Sequence, residues 1–92
     1  MIKTFRCPDT ENLFNRMPVH RFEGIASSAR RRLLRLDAAS SLPELLAVRG
    51  NRMEALKGDR RGQHSIRNNG QWRICFRWDQ PDAKDVEIVD YH

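Results

Sequence analysis

One stretch near the C-terminal end of the chain alternates strictly between two kinds of side chain. Its apolar positions are Trp72, Ile74, Phe76 and Trp78. The positions between them are Arg73, Cys75 and Arg77. Because successive side chains of a β-strand point to opposite faces of the sheet, this spacing predicts a strand with one wholly apolar face and one basic face. The apolar face needs a hydrophobic partner layer, and the basic face is suited either to bind a phosphate chain or simply to carry solvated charge.

The rest of the chain predicts helices before this strand and further strands around it. Apolar residues recur at helical spacing between Phe22 and Leu36, which indicates one long helix. Shorter helices are expected at residues 11–16 and at residues 43–48, where Pro43 suits a first helical turn. Strands are expected at residues 2–6, 51–56, 63–67, 71–78 and 85–91. This order is typical of an α+β fold, in which two N-terminal helices pack on a mainly antiparallel sheet. At 92 residues, we expect a single domain, 1–92.

The turn at residues 68–70 sets how two of these strands pair. A two-residue loop would place Ile66 opposite Arg73, whereas a three-residue loop would place it opposite Trp72. Strand register keeps apolar side chains on one face, so we expect the three-residue loop, with Gly70 in the left-handed conformation. With the three-residue loop, the side chains of Ser65 and Arg67 lie on the basic face.

Positive charge is concentrated in two stretches of the chain. Residues 1–36 hold eight basic and three acidic side chains, and residues 49–78 hold eight and two, whereas residues 79–92 hold five acids and one lysine. This distribution favours a polyanionic partner. No run of about 18 apolar residues could span a membrane, and the opening MIKTFRCPDT lacks the apolar core of a signal peptide, so we expect a cytoplasmic protein with no membrane partner.

The cysteines and histidines of the chain show no pattern of metal ligands. Cys7 and Cys75 form no CxxC pair, and the three histidines have no ligand spacing relative to them. We therefore expect no metal and no cofactor, and two unpaired thiols that act as small buried hydrophobic groups.

Five residues have the chemistry needed to cleave RNA without a metal: Lys57, Arg73, Asp90, Tyr91 and His92. Such cleavage needs a base for the 2′-hydroxyl proton, cations on the scissile phosphate and an acid for the leaving oxygen. Arg73 offers a bidentate fork and Lys57 a point charge, while His92 can exchange a proton near neutral pH. Alternation places Tyr91 on the same face as Glu87 and Val89, and pairing of Ile88 with Ile74 would lay that face beside Arg73.

Each of these residues also has a structural explanation. Lys57 precedes Gly58-Asp59 and could be an ordinary turn lysine. Asp90 could form only a surface ion pair, worth about 0–1 kcal/mol. His92 is the last residue of the sequence, and terminal residues are usually frayed.

Several sequence strings resemble the HigB-type toxins of the RelE superfamily. They are MIKTF at the start, LKGDRRG at 56–62, SIRNNGQWRICFRW at 65–78 and DYH at 90–92. The resemblance implies a RelE-like fold and a ribosome-dependent mRNA endonuclease that cuts in the 30S decoding site without metal. It also implies a HigA-type antitoxin that carries a helix-turn-helix and neutralises the toxin.

The resemblance also assigns roles to the residues by position. Lys57 and Arg73 would contact the scissile phosphate, and the site would be completed by Asp90, Tyr91 and His92. Relatives often carry histidine where this chain has Glu54, which leaves the general base open among Glu54, Asp90 and His92.

The basic side chains outside this set are candidates for contact with RNA or the ribosome. The densest run is Arg30, Arg31 and Arg32 on the long helix, and its alternatives are a solvated helix face or part of the antitoxin interface. The other candidates are Arg60, Arg61, Arg67 and Arg77. The competing function is a non-catalytic nucleic-acid-binding or regulatory module, although no convincing pair of recognition helices is predicted.

Overall fold

The computed structural model describes residues 1–90 of the chain, and Tyr91 and His92 lie outside the described residues. Its helices are α1 (Pro8–Phe14), α2 (Ala26–Ala38) and α3 (Leu42–Leu46). Short 3-10 helices span His20–Ile25, Arg49–Asn51 and Gly58–Arg60. The strands are β1 (Glu54–Ala55), β2 (Gln63–Arg67), β3 (Trp72–Asp79) and β4 (Asp82–Asp90). They form one antiparallel sheet in the order β1-β2-β3-β4, which confirms the α+β class.

The hydrophobic core lies between α2 and one face of the sheet. The helix buries Ala29, Leu33 and Leu36, and the preceding 3-10 helix buries Phe22 and Ile25. The sheet contributes the fully buried Ile74, Phe76 and Ile88. This arrangement confirms the expected partners of the apolar face of β3. Trp72 is only half-buried, and its ring meets that of Phe22 edge-on with 5.5 Å between centroids.

Three predicted elements are less regular than expected. The strand expected at residues 51–56 is reduced to the two-residue β1, since a 3-10 helix ends at Asn51 and Arg52 has a left-handed backbone. The helix expected from Phe22 starts as a 3-10 turn, because Ile25 has φ −126° and ψ 3° and so separates that turn from α2. The strand expected at residues 2–6 is reduced to two isolated parallel bridges, Ile2 with Ala83 and Phe5 with Val86. These bridges nevertheless cover part of the outer edge of β4, which would otherwise expose unpaired backbone groups.

The register predicted for the β2–β3 hairpin is wrong by two residues. Ile66 pairs with Ile74 and Arg67 with Arg73, and residues 68–71 connect the two strands. The side chain of Asn69 decides this, because its Oδ1 accepts hydrogen bonds from the amides of residues 71 and 72, both at 2.8 Å. Gly70 does not have a positive φ. A shift of two residues preserves alternation, so the predicted faces are nevertheless correct.

A β-bulge in β4 keeps two core residues on the same face of the sheet. Cys75 pairs with Glu87 and Arg77 with Lys84, so β4 has one more residue than β3 between these pairs. Asp85 lies within this interval with φ 52°, and its amide donates to Thr4 Oγ1 at 2.8 Å. The bulge allows Ala83 and Val86, three residues apart, both to be buried. The strand β4 begins at Asp82, where it pairs with Asp79, rather than at residue 85 as predicted.

Candidate active site

The sheet face that points away from the helices carries three of the residues predicted to contact RNA, namely Arg67, Arg73 and Arg77. One row of aligned residues crosses all four strands and consists of Glu54, Ser65, Cys75 and Glu87. The adjacent row consists of Arg67, Arg73 and Val89. Ile74 pairs with Ile88, which confirms that the face of Glu87 and Val89 lies beside Arg73. We refer to this surface as the basic face.

The centre of the basic face is buried, which the sequence did not indicate. Ser65 and Cys75 are fully buried, and Gln63 is 3% exposed. Burial raises the pKa of the Cys75 thiol; Arg60 and Arg73 act in the opposite sense, and Glu87 adds to the increase. Cys75 therefore lies within electrostatic reach of two arginines and one glutamate. It confirms the expectation of a buried thiol, while Cys7 is half-buried.

Arg73 is held close to the protein surface by two contacts with the segment that leads into β1. Its side chain is 11% exposed, and Nη1 lies 3.6 Å from Oε1 of Glu54. Nη2 donates to the carbonyl oxygen of Arg52 at 3.1 Å. Arg52 has a left-handed backbone, with φ 43°. Since the side chain of Glu54 is 58% exposed, the pair of Glu54 and Arg73 combines a carboxylate open to solvent with a largely sheltered cation.

Lys57 lies three residues after Glu54, at the start of the 3-10 turn Gly58–Arg60. The backbone pairing of β1 with β2 extends to the residue before it, because the amide of Leu56 donates to the carbonyl of Gln63 at 2.9 Å. Lys57 itself is exposed. The hydrogen bonds between β1 and β2 therefore fix the backbone up to Lys57, and the 3-10 turn sets the direction of the chain after it.

Backbone conformation explains why glycine occupies two positions of the LKGDRRG string. Gly58 and Gly62 both have positive φ, 64° and 92°, a region that favours glycine. A Cβ at Gly62 would also lie 2.8 Å from Nη1 of Arg77. The return from the turn into β2 thus requires glycine at position 62.

Asp90 does not lie on the same face as Arg73. It pairs with Trp72, so alternation directs its side chain to the face on which the helices pack. Asp90 is exposed there, and Gln71 Nε2 donates to its Oδ2 at 3.2 Å. Tyr91 and His92, the other two C-terminal site residues expected from the sequence, lie outside the described residues. Among residues 1–90, the structure brings Glu54 into contact with Arg73, and Lys57 follows Glu54 by three residues along the chain.

The run of arginines on α2 does not form a single surface. Arg30 Nε donates to the carbonyl of Leu13 at 3.0 Å, which ties α2 to the end of α1. Arg32 Nε donates to the carbonyl of Arg67 at 2.9 Å, which ties α2 to the end of β2. Burial lowers the pKa of Arg32, and the neighbouring Arg31 and Arg35 lower it further. Arg31 is the exposed member of the run.

The remaining predicted RNA-binding arginines differ in their surroundings. Arg61 and Arg77 are exposed, and Arg77 Nε lies 3.5 Å from Oδ2 of Asp85. Arg67 is half-buried, and its Nε donates to the carbonyl of Asn69 at 3.3 Å. Arg60 contacts two side chains of the basic face, with its Nη1 2.8 Å from Glu87 Oε1 and 3.1 Å from Gln63 Oε1.

A cavity of about 310 Å³ lies at the outer edge of β4, next to the basic face. Its lining includes Arg60, Trp72, Glu87 and Asp90. Sequence reasoning did not single out Glu87 or its contact with Arg60. One feature of the sequence could have indicated this contact: Glu87 is an acidic residue at a position that alternation assigns to the basic face.

Two negative findings concern the described part of the chain. Residues 1–90 contain no cluster of histidine, cysteine and acidic side chains that could hold a metal ion. Within the same residues, each helix is too short and too polar to cross a lipid bilayer.

Comparison with known proteins identifies the family of this chain. A family of HigB-like toxins, described as RelE-like toxins of the type II toxin-antitoxin system HigB, matches residues 5–92. Endoribonuclease HigB of Proteus vulgaris is 33% identical over 101 aligned positions that cover 100% of both chains. Toxin HigB-1 of Vibrio cholerae is 46% identical over 48 residues, which are 52% of this chain and only 50% of that toxin.

Solved structures with the same fold are toxin–antitoxin complexes. Two structures of the YoeB–YefM complex from Staphylococcus aureus match 100% of this chain and 98% of their own, with TM-scores of 0.60 and 0.58. At 19% and 17% identity, these matches concern the fold alone. The family match over residues 5–92, together with the full-length relative, shows that this chain belongs to the HigB-like family of RelE-like toxins of type II toxin–antitoxin systems.

Proposed function

We propose that this protein is an endoribonuclease toxin that cleaves translated mRNA on the ribosome and that a HigA-type antitoxin with a helix-turn-helix neutralises it. The full-length relative from Proteus vulgaris carries the name endoribonuclease, which supports the activity. The observation that carries the proposal is the contact between Glu54 and Arg73, 3.6 Å apart, with Lys57 three residues beyond Glu54. A carboxylate in contact with an arginine, with a lysine three residues further along the chain, is a suitable arrangement for moving a proton next to a phosphate.

In this proposal Glu54 is the general base. Its carboxylate takes the proton of the ribose 2′-hydroxyl, and the 2′-oxygen attacks the adjacent phosphorus. Arg73 and Lys57 stabilise the charge that develops on the non-bridging oxygens. The bond from phosphorus to the 5′-oxygen breaks, and that oxygen receives a proton. The products are a 2′,3′-cyclic phosphate and a 5′-hydroxyl end.

The arrangement favours Glu54 over Asp90 as the base. Glu54 contacts Arg73 directly, whereas Asp90 lies on the opposite face of the sheet. The acid that protonates the leaving oxygen is then expected to be Tyr91 or His92, since Asp90 lies on the opposite face. No metal or cofactor enters this scheme.

The ribosome is the proposed platform for the reaction. The chain has a formal net charge of +5, and arginines are exposed on α2 and on both sides of the basic face. Ribosomal RNA is a polyanion, so binding should weaken steeply as salt rises. A toxin that acts on translating ribosomes would work in the cytoplasm.

The proposal is tested by mapping new mRNA 5′ ends after induction of this protein alone. We expect ends inside translated regions, spaced in codon register, that carry a 5′-hydroxyl and therefore need phosphorylation before ligation. Arg73→Ala should abolish them. If the folded, soluble protein produces no new ends, the nuclease function is wrong. New ends outside translated regions would contradict the dependence on ribosomes.

A further inference from the structure

An ion pair on the basic face connects the turn after Lys57 to the opposite edge strand. Arg60 belongs to the connection between β1 and β2, and Glu87 lies on β4. Their side chains meet at 2.8 Å between Nη1 and Oε1. Arg60 therefore reaches over the basic face from the turn to β4.

The residues between the two partners are the most deeply buried of the basic face. Ser65 and Cys75 occupy the same row as Glu87 and are fully buried, and both charges of the pair act on the Cys75 thiol. Gln63, 3% exposed, accepts a second hydrogen bond from Nη1 of Arg60 at 3.1 Å. The side chain of Arg60 thus covers the centre of the face, and Glu87 and Gln63 hold it there.

The pair is sheltered enough to fix a geometry. The side chain of Glu87 is 16% exposed and that of Arg60 is 34% exposed. Glu87 has a second, more distant arginine nearby, with Arg6 Nε at 4.0 Å. A carboxylate that is largely removed from water and contacts arginine at short range holds its partner more firmly than a surface ion pair does.

Backbone hydrogen bonds also restrain the turn. Two backbone bonds close it, from Arg60 N to the carbonyl of Lys57 at 3.3 Å and from Arg61 N to the carbonyl of Gly58 at 3.1 Å. The first of these joins Lys57 directly to Arg60. An anchor on the side chain of Arg60 therefore also restricts the backbone position of Lys57.

We infer that Glu87 is a positioning residue: by holding Arg60 across the sheet, it fixes the turn that presents Lys57 to the scissile phosphate. This inference rests on the proposed nuclease function. A catalytic group displaced by about 1 Å can slow a reaction about 100-fold, because the reacting groups must be aligned before the chemical step. Loss of the pair should therefore lower kcat more than it raises KM.

The test compares five variants in steady-state cleavage of mRNA on purified ribosomes. They are Glu87→Ala, Glu87→Gln, Arg60→Ala, the double alanine variant and Asp79→Ala. Asp79 is the control, because it forms an ion pair of equal length with Lys84, 2.8 Å, at the far end of β3. Hydrogen–deuterium exchange at residues 57–62 of the protein alone reports on the turn without reference to activity, and thermal unfolding shows that each variant is folded.

We expect Glu87→Ala and Arg60→Ala each to reduce kcat about 10-fold to 100-fold with KM changed less than about threefold. The double variant should be no slower than the slower single variant, since both substitutions remove one interaction. Exchange at residues 57–62 should rise in all three, while Asp79→Ala behaves like wild type. Glu87→Gln, which keeps an oxygen acceptor without the charge, should restore part of kcat and of the exchange protection.

Three outcomes would overturn the inference. They are wild-type kcat in folded Glu87→Ala, independent effects that multiply in the double variant, and unchanged exchange at residues 57–62. A wild-type protein that does not cleave mRNA on ribosomes contradicts the proposed nuclease function instead. In that case the exchange measurement still decides whether Glu87 fixes the turn.

Discussion

The guanidinium of Arg73 on β3 reaches past β2 to the carboxylate of Glu54 on β1, with 3.6 Å between Nη1 and Oε1. An arginine expected to bind phosphate is thus already oriented by a carboxylate before any substrate is present. In the proposed mechanism, a substrate phosphate bound by Arg73 brings its ribose close to Glu54, so that the pair would link charge stabilisation to proton removal within one contact.

Replacement of Glu54 by glutamine separates the two roles. Glu54→Gln keeps the shape of the side chain but cannot take the 2′-hydroxyl proton, so we expect single-turnover cleavage to fall about 100-fold to 10,000-fold. Binding to mRNA-loaded ribosomes should be equal to wild type or tighter, because a negative charge near the phosphate is removed. Glu44→Gln on α3, an exposed glutamate, is the matched control. Wild-type cleavage by Glu54→Gln would eliminate Glu54 as the base.

Replacement by alanine should destabilise the protein at one glycine and leave its stability unchanged at another. At Gly62, where φ is 92° and a Cβ would meet Arg77 Nη1 at 2.8 Å, Gly62→Ala should lower the free energy of unfolding by about 1–3 kcal/mol. At Gly70, φ is not positive and no heavy atom lies within 4 Å of the added Cβ, so Gly70→Ala should be close to neutral. Urea denaturation of both variants measures the difference. Equal losses would contradict the backbone described for these two connections.

The stability of the protein should decrease in mild acid because of His64. Burial lowers the pKa of this histidine below its ordinary value of 6.5, and its ring lies 5.9 Å from that of Phe76. The unfolded chain therefore binds a proton that the folded protein resists. The contribution of neutral His64 to the free energy of unfolding is fully present above pH 6.5. It is lost as the pH falls from 6.5 to the lower pKa that His64 has in the folded protein.

Denaturant unfolding of wild type and His64→Gln between pH 5 and pH 8 checks this prediction (about 1.5 units on either side of the ordinary pKa of histidine). Wild type should lose more free energy of unfolding on acidification than His64→Gln does. His20→Gln is the control, since the His20 side chain is 96% exposed. Equal pH dependence in wild type and His64→Gln would show that His64 does not contribute.

The arginine run on α2 should divide into structural and surface members. Arg30→Ala and Arg32→Ala each remove a donor to a backbone carbonyl, of Leu13 and Arg67 respectively, so each should lower the melting temperature. Arg31→Ala removes an exposed charge and should leave the melting temperature unchanged while it weakens ribosome binding and reduces its salt dependence. Sedimentation with ribosomes at two salt concentrations measures the second effect. Unchanged binding by Arg31→Ala would remove this residue from the proposed ribosome contact.

Hydrophobic periodicity predicted most of the secondary structure of this protein. The alternation in residues 72–78 gives the two faces of β3 correctly, and the helical spacing between Phe22 and Leu36 correctly gives the residues that cover the apolar face. Both patterns are local, because each reports only which side of its own element must avoid water. The resemblance to HigB-type toxins added the family, which the comparison with known proteins confirms.

Strand register and the bulge depended on contacts that periodicity does not encode. Alternation is unchanged by a shift of two residues, so it could not distinguish Ile66 opposite Trp72 from Ile66 opposite Ile74; the hydrogen bonds of Asn69 decided this. The extra residue at Asp85 likewise depends on Thr4, from the other end of the chain.

The sequence by itself therefore determined which residues are apolar, which are basic and which face of each element they share. Only the tertiary structure decided which charges meet. Glu54 contacts Arg73, and Arg60 reaches Glu87, 27 residues away, so that Cys75 on a nominally basic face becomes fully buried. The physical reason is that long charged side chains select partners across strands, and those partners are set by register, bulges and turns rather than by the pattern of any single strand.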